Sequence, residues 1–408
     1  MDNILFEKYA TLINEYAEKH YLDLFREPNG ILKHKFIVPG SGYSGSLWDW
    51  DSWFIEQAIA HISKKEDSIE YEKGCLLNFF EHQYPDGRIP IFITATAVRP
   101  QFNEGEVTNL HKPILAQRAL YISKKLGDFE WLRQYLHHFY RFISYYETYC
   151  KHESGLFFWV NDYAIGVDND PCTFFRPAKS SASILLNSFM YKELKDLAEI
   201  LKQLGETEAQ AAYDEKAENL KNAIIEHCYD ERDGFFYNVD INLLPIDPNQ
   251  ILHRGCPRHY STLIQRIGVW SGFTAMYYGI ATQEQADRMV KEHMFNEKTF
   301  YCPYGIRSLS KMEKMYAILP SNNPSCWLGP VWGLCNYMAF DGLRKYGYVE
   351  EAKKLAYQTV ELFGKDLEET GELHEFYDPE TGKTVFTKGF QSWNLFAVEM
   401  VKWLKENA

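Results

Sequence analysis

The chain has 408 residues, 46% of them hydrophobic and 16% aromatic, with a formal net charge of −13. An acidic balance without a basic block argues against a nucleic-acid surface, and no run approaches the roughly 20 apolar residues of a membrane span. The start, Met1-Asp2-Asn3, does not read as a secretory leader, and the eight cysteines are scattered without a CxxC pair, which suggests reduced thiols in a cytoplasmic protein rather than disulfides or zinc.

Helical periodicity begins at residues 4–20, where Leu5, Tyr9, Leu12, Ile13 and Tyr16 form one stripe. It recurs over roughly 51–64, 68–82, 111–126, 128–150, 179–204, 206–228, 261–280, 282–295, 328–346, 348–364 and 390–406. Thr282-Gln-Glu-Gln reads as a capping box, and Gly347 and Gly364 sit where helix ends are expected. Short strand signals fall between helices, at 234–239 and near Phe376–Phe386, the second with a Pro-Glu-Thr-Gly turn. No linker divides the chain, so residues 1–408 read as one all-α domain. Helices in consecutive hairpins predict an (α/α)6 barrel with short β-hairpins in the loops at one end; no fixed-length repeat favours a solenoid. Its long loops are candidates for function.

Four loop segments carry acids, amides and rings. Asn161–Pro171 (NDYAIGVDNDP) holds Asp162, Asp168 and Asp170 in a stretch suited to neither helix nor strand. Asp168 is either an Asx-turn or cap residue, or a general acid, which needs a carboxyl pKa raised by burial or a nearby negative charge. Asp162 and Asp170 are close enough in sequence to supply that charge. In His374–Gly382, Glu375 lies among rings, whereas Asp378 and Glu380 read as turn residues. Trp48-Asp49-Trp50-Asp51-Ser52-Trp53 precedes a helix; one aspartate suits the N-cap, leaving the other for a ligand. Trp327 and Trp332 flank Gly329-Pro330 and could face a ligand or the core. If alternate loops of a barrel open at one end, these acids, amides and indoles converge into a carbohydrate site with two carboxylates for glycosidic cleavage.

These segments resemble the α/α-barrel glycosidases of glycoside hydrolase family 63, including its mannosylglycerate and glucosylglycerate hydrolases, and more distantly the trehalases. The resemblance rests on Gly166-Val167-Asp168-Asn169-Asp170-Pro171, Glu375-Phe376-Tyr377-Asp378-Pro379-Glu380-Thr381-Gly382 and the Trp-Asp-Trp-Asp segment. His111-Lys112-Pro113-Ile114-Leu115-Ala116, Gly329-Pro330-Val331-Trp332 and a late Gly-Phe-x-x-Trp follow the family order, so it spans about residues 40–400. It implies an inverting exo-α-glycosidase, taken here as an α-glucosidase, with Asp168 as acid and Glu375 as base. Inversion needs their carboxyl groups roughly 6.5–9.5 Å apart. Trp48, Trp50, Trp327 and Trp393 would form walls; Asp49, Asp51, Lys112, Asn161, Asn169 and Gln391 would contact the sugar. Neither metal nor other cofactor is implied, and the partner is a small carbohydrate.

Two positions depart from the family pattern. Asp170 replaces a Ser and would raise the pKa of Asp168 if buried beside it, and Leu328 replaces an Arg. The resemblance also implies a catalytic barrel without the additional β-domain of larger members. A glycosylglycerate hydrolase is one alternative, for which Arg176, Arg307 and Lys311 are candidate cations. A sugar 2-epimerase using His253, His259 and His374 is another, and an inactive carbohydrate-binding protein a third.

Overall fold

The computed structural model describes residues 2–43, 45–99, 110–162, 165–247, 249–319 and 325–407. Among them are twelve α-helices: α1 Asn3–His20, α2 Asp49–Ile59, α3 Lys65–Glu81, α4 Leu115–Leu126, α5 Leu136–Tyr149 and α6 Ile184–Gln203 come first. They are followed by α7 Thr207–Cys228, α8 Thr274–Tyr277, α9 Gln283–Arg288, α10 Gly333–Lys345, α11 Val349–Thr370 and α12 Ala397–Glu406. Even-numbered helices form the inner layer. α4 packs on α6, α6 on α8, α8 on α10, and the 3-10 turn Ser392–Phe396 that opens α12 packs on both α10 and α2. Odd-numbered helices lie outside, as where α7 covers α6 and α1 packs on α11. The two layers differ in sequence as they must. α2 and α10 are buried almost all round, whereas α7 buries only the stripe Ala217, Leu220, Ala223, Ile224 and Cys228.

The Thr282 capping box is present, and Gly347 follows α10 with φ +82°. Gly364 does not end a helix. It lies inside α11, where a Cβ would stand 2.2 Å from Cγ of Tyr9, so its lack of a side chain permits the α1–α11 approach. The helix expected over 261–280 is largely replaced by extended chain. Leu263 and Ile264 pair with Asp240 and Val239, and Trp270 N–H donates to Ser308 O at 3.0 Å, leaving only a 3-10 turn and α8. Tertiary pairing here outcompetes local propensity. The helix expected from 328 begins at Gly333, because Val331 and Trp332 are taken by a sheet.

That sheet positions the site. His374–Tyr377 lies antiparallel between Val331–Trp332 and Thr384–Lys388, with a register shift at Phe376/Tyr377. A second three-stranded sheet orders Ser46–Trp48, Phe92–Thr94 and Val98–Arg99. The segments that precede the first strand of this second sheet and follow the last strand of the other meet through the Gly40–Phe390 bridge and a hydrogen bond from Ser392 N–H to Pro39 O at 2.9 Å.

Candidate active site

A cavity of about 470 Å³ opens between these sheets and the 166–171 loop, and Trp48, Asp49, Trp50, Asp51, Lys112, Asp168, Trp327, Glu375 and Trp393 all line it. Pro39, Tyr43, Phe92, Asp162, Gly166, Ser325, Trp332 and Phe390 contribute as well. The approach is close at Gly166. Its φ is +87°, and a Cβ there would stand 2.5 Å from Cζ2 of Trp50, so no other residue fits without moving the indole.

Aromatic rings make much of the wall. Trp48 stacks on Phe92 at 3.9 Å and Trp327 on Trp332 at 3.8 Å, while Trp50 meets Trp393 edge-on at 5.4 Å. The indole N–H groups of Trp48, Trp327 and Trp393 are buried without an acceptor among the described residues. Buried donors normally find partners, so these three, closed off from solvent, are unusual.

The two aspartates of α2 serve different ends. Asp49 accepts from the Trp50 amide at 2.7 Å and the Lys112 amide at 3.0 Å, and both its oxygens lie 3.1 Å from Lys112 Nζ. It stands at the first helical position rather than as the N-cap, which is Trp48. Lys112 also sits 4.8 Å from the Trp50 ring centre. Asp51 has no such partner. Burial, then the Asp49 charge, pushes its carboxyl up to about 8, against the pull of Lys112.

Asp168 is raised by burial, opposed by a hydrogen bond with Ser325 and by Lys112. Glu375 is pushed up to about 7, first by burial and then by the Asp168 charge; the hydroxyls of Thr387 and Tyr43 oppose that shift, and Tyr43 Oη donates to Oε2 at 3.4 Å. Thr387 holds φ +44°, a disfavoured backbone for a β-branched residue. Neither Asp162 nor Asp170 drives the Asp168 shift. Asp170 is buried, but its carboxylate accepts from the Cys172 amide at 2.8 Å, and burial raises it to about 6. The expectation that it acts on Asp168 gives way to a local turn.

Three expected sugar contacts do not line the cavity. Asn169 accepts from Trp327 N–H at 2.8 Å and donates to Ser325 O at 3.3 Å, tying the Asp168 loop to the loop of Trp327. Gln391 is buried and hydrogen-bonds the Tyr16 hydroxyl. Asn161 is half-buried beside Asp162. Asp378 and Glu380 are structural, as expected: Asp378 accepts from the Glu380 and Thr381 amides at 3.0 and 2.8 Å, and Glu380 pairs with Arg307 and Lys311 at 2.7 and 2.8 Å. Arg176 pairs with Asp240. The histidines of the epimerase alternative are elsewhere. His253 and His259 are exposed, and His374 binds Asp366 at 2.9 Å behind the strand of Glu375. Sequence reading missed Tyr43, Phe92 and Phe390. Phe390 lies within the Gly-Phe-x-x-Trp pattern, but Tyr43, in a 3-10 turn, and Phe92, in the short strand Phe92–Thr94, belong to no motif.

Residues 44–394 match the model of the mannosylglycerate hydrolase MGH1-like glycoside hydrolase domain. The chain belongs to that family. Mannosylglycerate hydrolase of Thermus thermophilus is 22% identical, over 88% of this chain and 94% of that protein. A probable trehalase of Eremothecium gossypii is 29% identical over 49% of this chain but 26% of its own length, so the chain spans about a quarter of the trehalase it matches. A crystal structure of the Thermus family member in complex with glucose has a TM-score of 0.67 at 21% identity, covering 95% of this chain and 98% of that one. Neutral trehalase of Saccharomyces cerevisiae gives 0.64 at 19%, covering 96% and 80%. These likenesses agree with the two helical layers in an (α/α)6 barrel fold.

Proposed function

We propose that this family member is an inverting exo-α-glycosidase acting on α-glucosides. The observation that supports the reading is the meeting of Asp168 and Glu375, distant in sequence, in one aromatic-walled cavity where the charge of one raises the pKa of the other. In this mechanism the Asp168 carboxyl protonates the glycosidic oxygen, and Glu375 takes a proton from a water that attacks the anomeric carbon from the opposite face. Each step needs one carboxyl protonated and one ionised. Mutual repulsion favours that state: once either carboxyl holds the proton, its neighbour loses an adjacent charge and ionises more readily. The rings would cover sugar faces.

A screen of α-linked gluco-, manno- and galacto-disaccharides and glycosylglycerates tests the reading. Release of a reducing sugar is expected with the gluco-configured set. A new isomer without hydrolysis would replace this reading with epimerase chemistry, and binding without turnover between about pH 4 and 9 would reduce the protein to a carbohydrate binder.

A further inference from the structure

We propose that Thr387 is a positioning residue for the glycosidase reaction, its hydroxyl holding the Glu375 carboxylate in place to take the proton of the attacking water. The proposal deepens the glycosidase reading and rests on it. Glu375 lies on the central strand of its sheet. There His374 pairs with Lys388 and Phe376 with Phe386, which leaves Glu375 facing Thr387 across the ladder. Residues opposite each other on antiparallel strands share a face, so Thr387 stands on the side where Glu375 lines the cavity. Its methyl packs toward the turn that carries Tyr43, since a Cβ at Gly42 would stand 3.6 Å from Thr387 Cγ2.

The backbone is strained at this position. Thr387 holds φ +44°, where a β-branched residue is disfavoured and glycine is at ease. Such strain persists where the surroundings over-determine it, and the Glu375 strand is pinned on two sides. Asp366 Oδ2, on α11, accepts from the Tyr377 hydroxyl at 2.8 Å and lies 2.9 Å from His374 Nδ1, while the same hydroxyl accepts from the His374 amide at 2.9 Å. Val331 and Trp332 pair along its other edge. The strand Thr384–Lys388, at the sheet edge, is the one that adapts. The chemistry gives the hydroxyl a task. Hydrolysis needs the shared proton on Asp168 and an ionised Glu375, and repulsion between the two does not choose which holds it. At Asp168, Ser325 and Lys112 favour ionisation, the unproductive arrangement. A donor on Glu375 tips the balance back. Tyr43, Asp51 and Asp168 also face this carboxyl, and among the groups that oppose its burial Thr387 outweighs Tyr43.

Three variants and an accepted α-linked substrate test the proposal. Thr387→Val keeps the shape and the strain but loses the hydroxyl, and is expected to lower kcat about tenfold with KM within about twofold. Thr387→Ser keeps the hydroxyl and is expected to stay within about threefold of wild type. Thr387→Gly relieves the strain, so it should melt no lower than wild type while losing as much kcat as Thr387→Val. Wild-type kcat in Thr387→Val, a Thr387→Ser enzyme equally slow, or joint loss of stability and activity in Thr387→Gly overturns the proposal. Glu375→Gln separates the two readings: if it abolishes turnover while Thr387→Val does not, the glycosidase reading stands and the proposal falls. A second measurement needs no turnover. Carbon NMR of the glutamate carboxyls, with Glu375→Gln to assign the signal, is expected to show Glu375 titrating at higher pH in Thr387→Val, by more than in Tyr43→Phe. That shift without hydrolysis of any compound supports the hydroxyl's hold on Glu375 and removes hydrolysis as its purpose; an unmoved titration overturns the proposal.

Discussion

Asp49 and Asp51 are two residues apart on the same helix, both buried, and their surroundings divide the molecule into two kinds of polar region. On the Asp49 side, carboxylates are answered by the protein: Lys112 and two amides saturate Asp49, and Glu193 accepts from the Ala116 and Gln117 amides at 2.8 and 3.2 Å at the start of α4. Arg118 joins the same layer, donating to Ser52 Oγ at 2.6 Å and lying 3.0 Å from Glu56. Burial pushes Glu56 and Glu193 up to about 8, as it does Asp51; what sets Asp51, Asp168 and Glu375 apart is that they line the cavity. Carboxylates paired between helices hold the inner layer in place, whereas those that line the cavity are placed to meet a ligand.

The comparison breaks most sharply at the proposed catalytic pair. Asp168→Asn and Glu375→Gln are each expected to lower kcat/KM by about 10²–10⁴-fold with the far-UV spectrum unchanged. Glu375→Gln carries a second signature. The folded protein holds the Glu375 proton more tightly than an unfolded chain, so stability present below the ordinary value of 4.5 is lost as pH rises through about 7. The variant is therefore expected to gain stability relative to wild type at about pH 8 and not at about pH 5, read by thermal melts. Near-normal turnover in either variant removes that residue from its role.

On the satisfied side the loss should appear as stability. Lys112→Met leaves Asp49 buried and uncompensated, with an expected cost of about 3–5 kcal/mol in urea unfolding. A loss under about 1 kcal/mol would show that Asp49 protonates or finds water instead. Smaller again is Asn169→Ala, which strips the Trp327 amide of its acceptor and frees the Asp168 loop. It should cost about 1–3 kcal/mol and lower kcat more than it raises KM. Unchanged kinetics would separate the tether from catalysis. Smallest is Tyr43→Phe. Its hydroxyl lowers the Glu375 pKa, so removing it should keep the singly protonated pair to slightly higher pH and move the alkaline limb of the rate profile up by a few tenths of a unit. A downward shift would contradict the assigned hydrogen bond.

Much of this was legible from residue order. The alternation of helices survives in the structure because inner and outer helices need different apolar patterns, and the loop motifs do converge on one cavity. What failed had local causes. Gly364 looks like a helix end, yet serves a helix–helix contact that only a packed Tyr9 reveals. The 261–280 pattern could not show that strand partners at Val239 and Asp240 would take its backbone. Asn169 has the chemistry of a sugar ligand, but both ends of its amide bond to protein, a choice set by neighbours far along the chain. Tyr43 and Phe92 were illegible because a ring in a three-residue turn or strand gives no spacing signal.

The central claim is that Asp168 and Glu375 act from opposite faces of the anomeric carbon. Proton NMR during the first minutes of hydrolysis of an accepted α-linked substrate reads this directly, before mutarotation mixes the anomers. The β-anomer of the released sugar is expected first. First release of the α-anomer would contradict the inverting assignment and recast one carboxylate as a nucleophile.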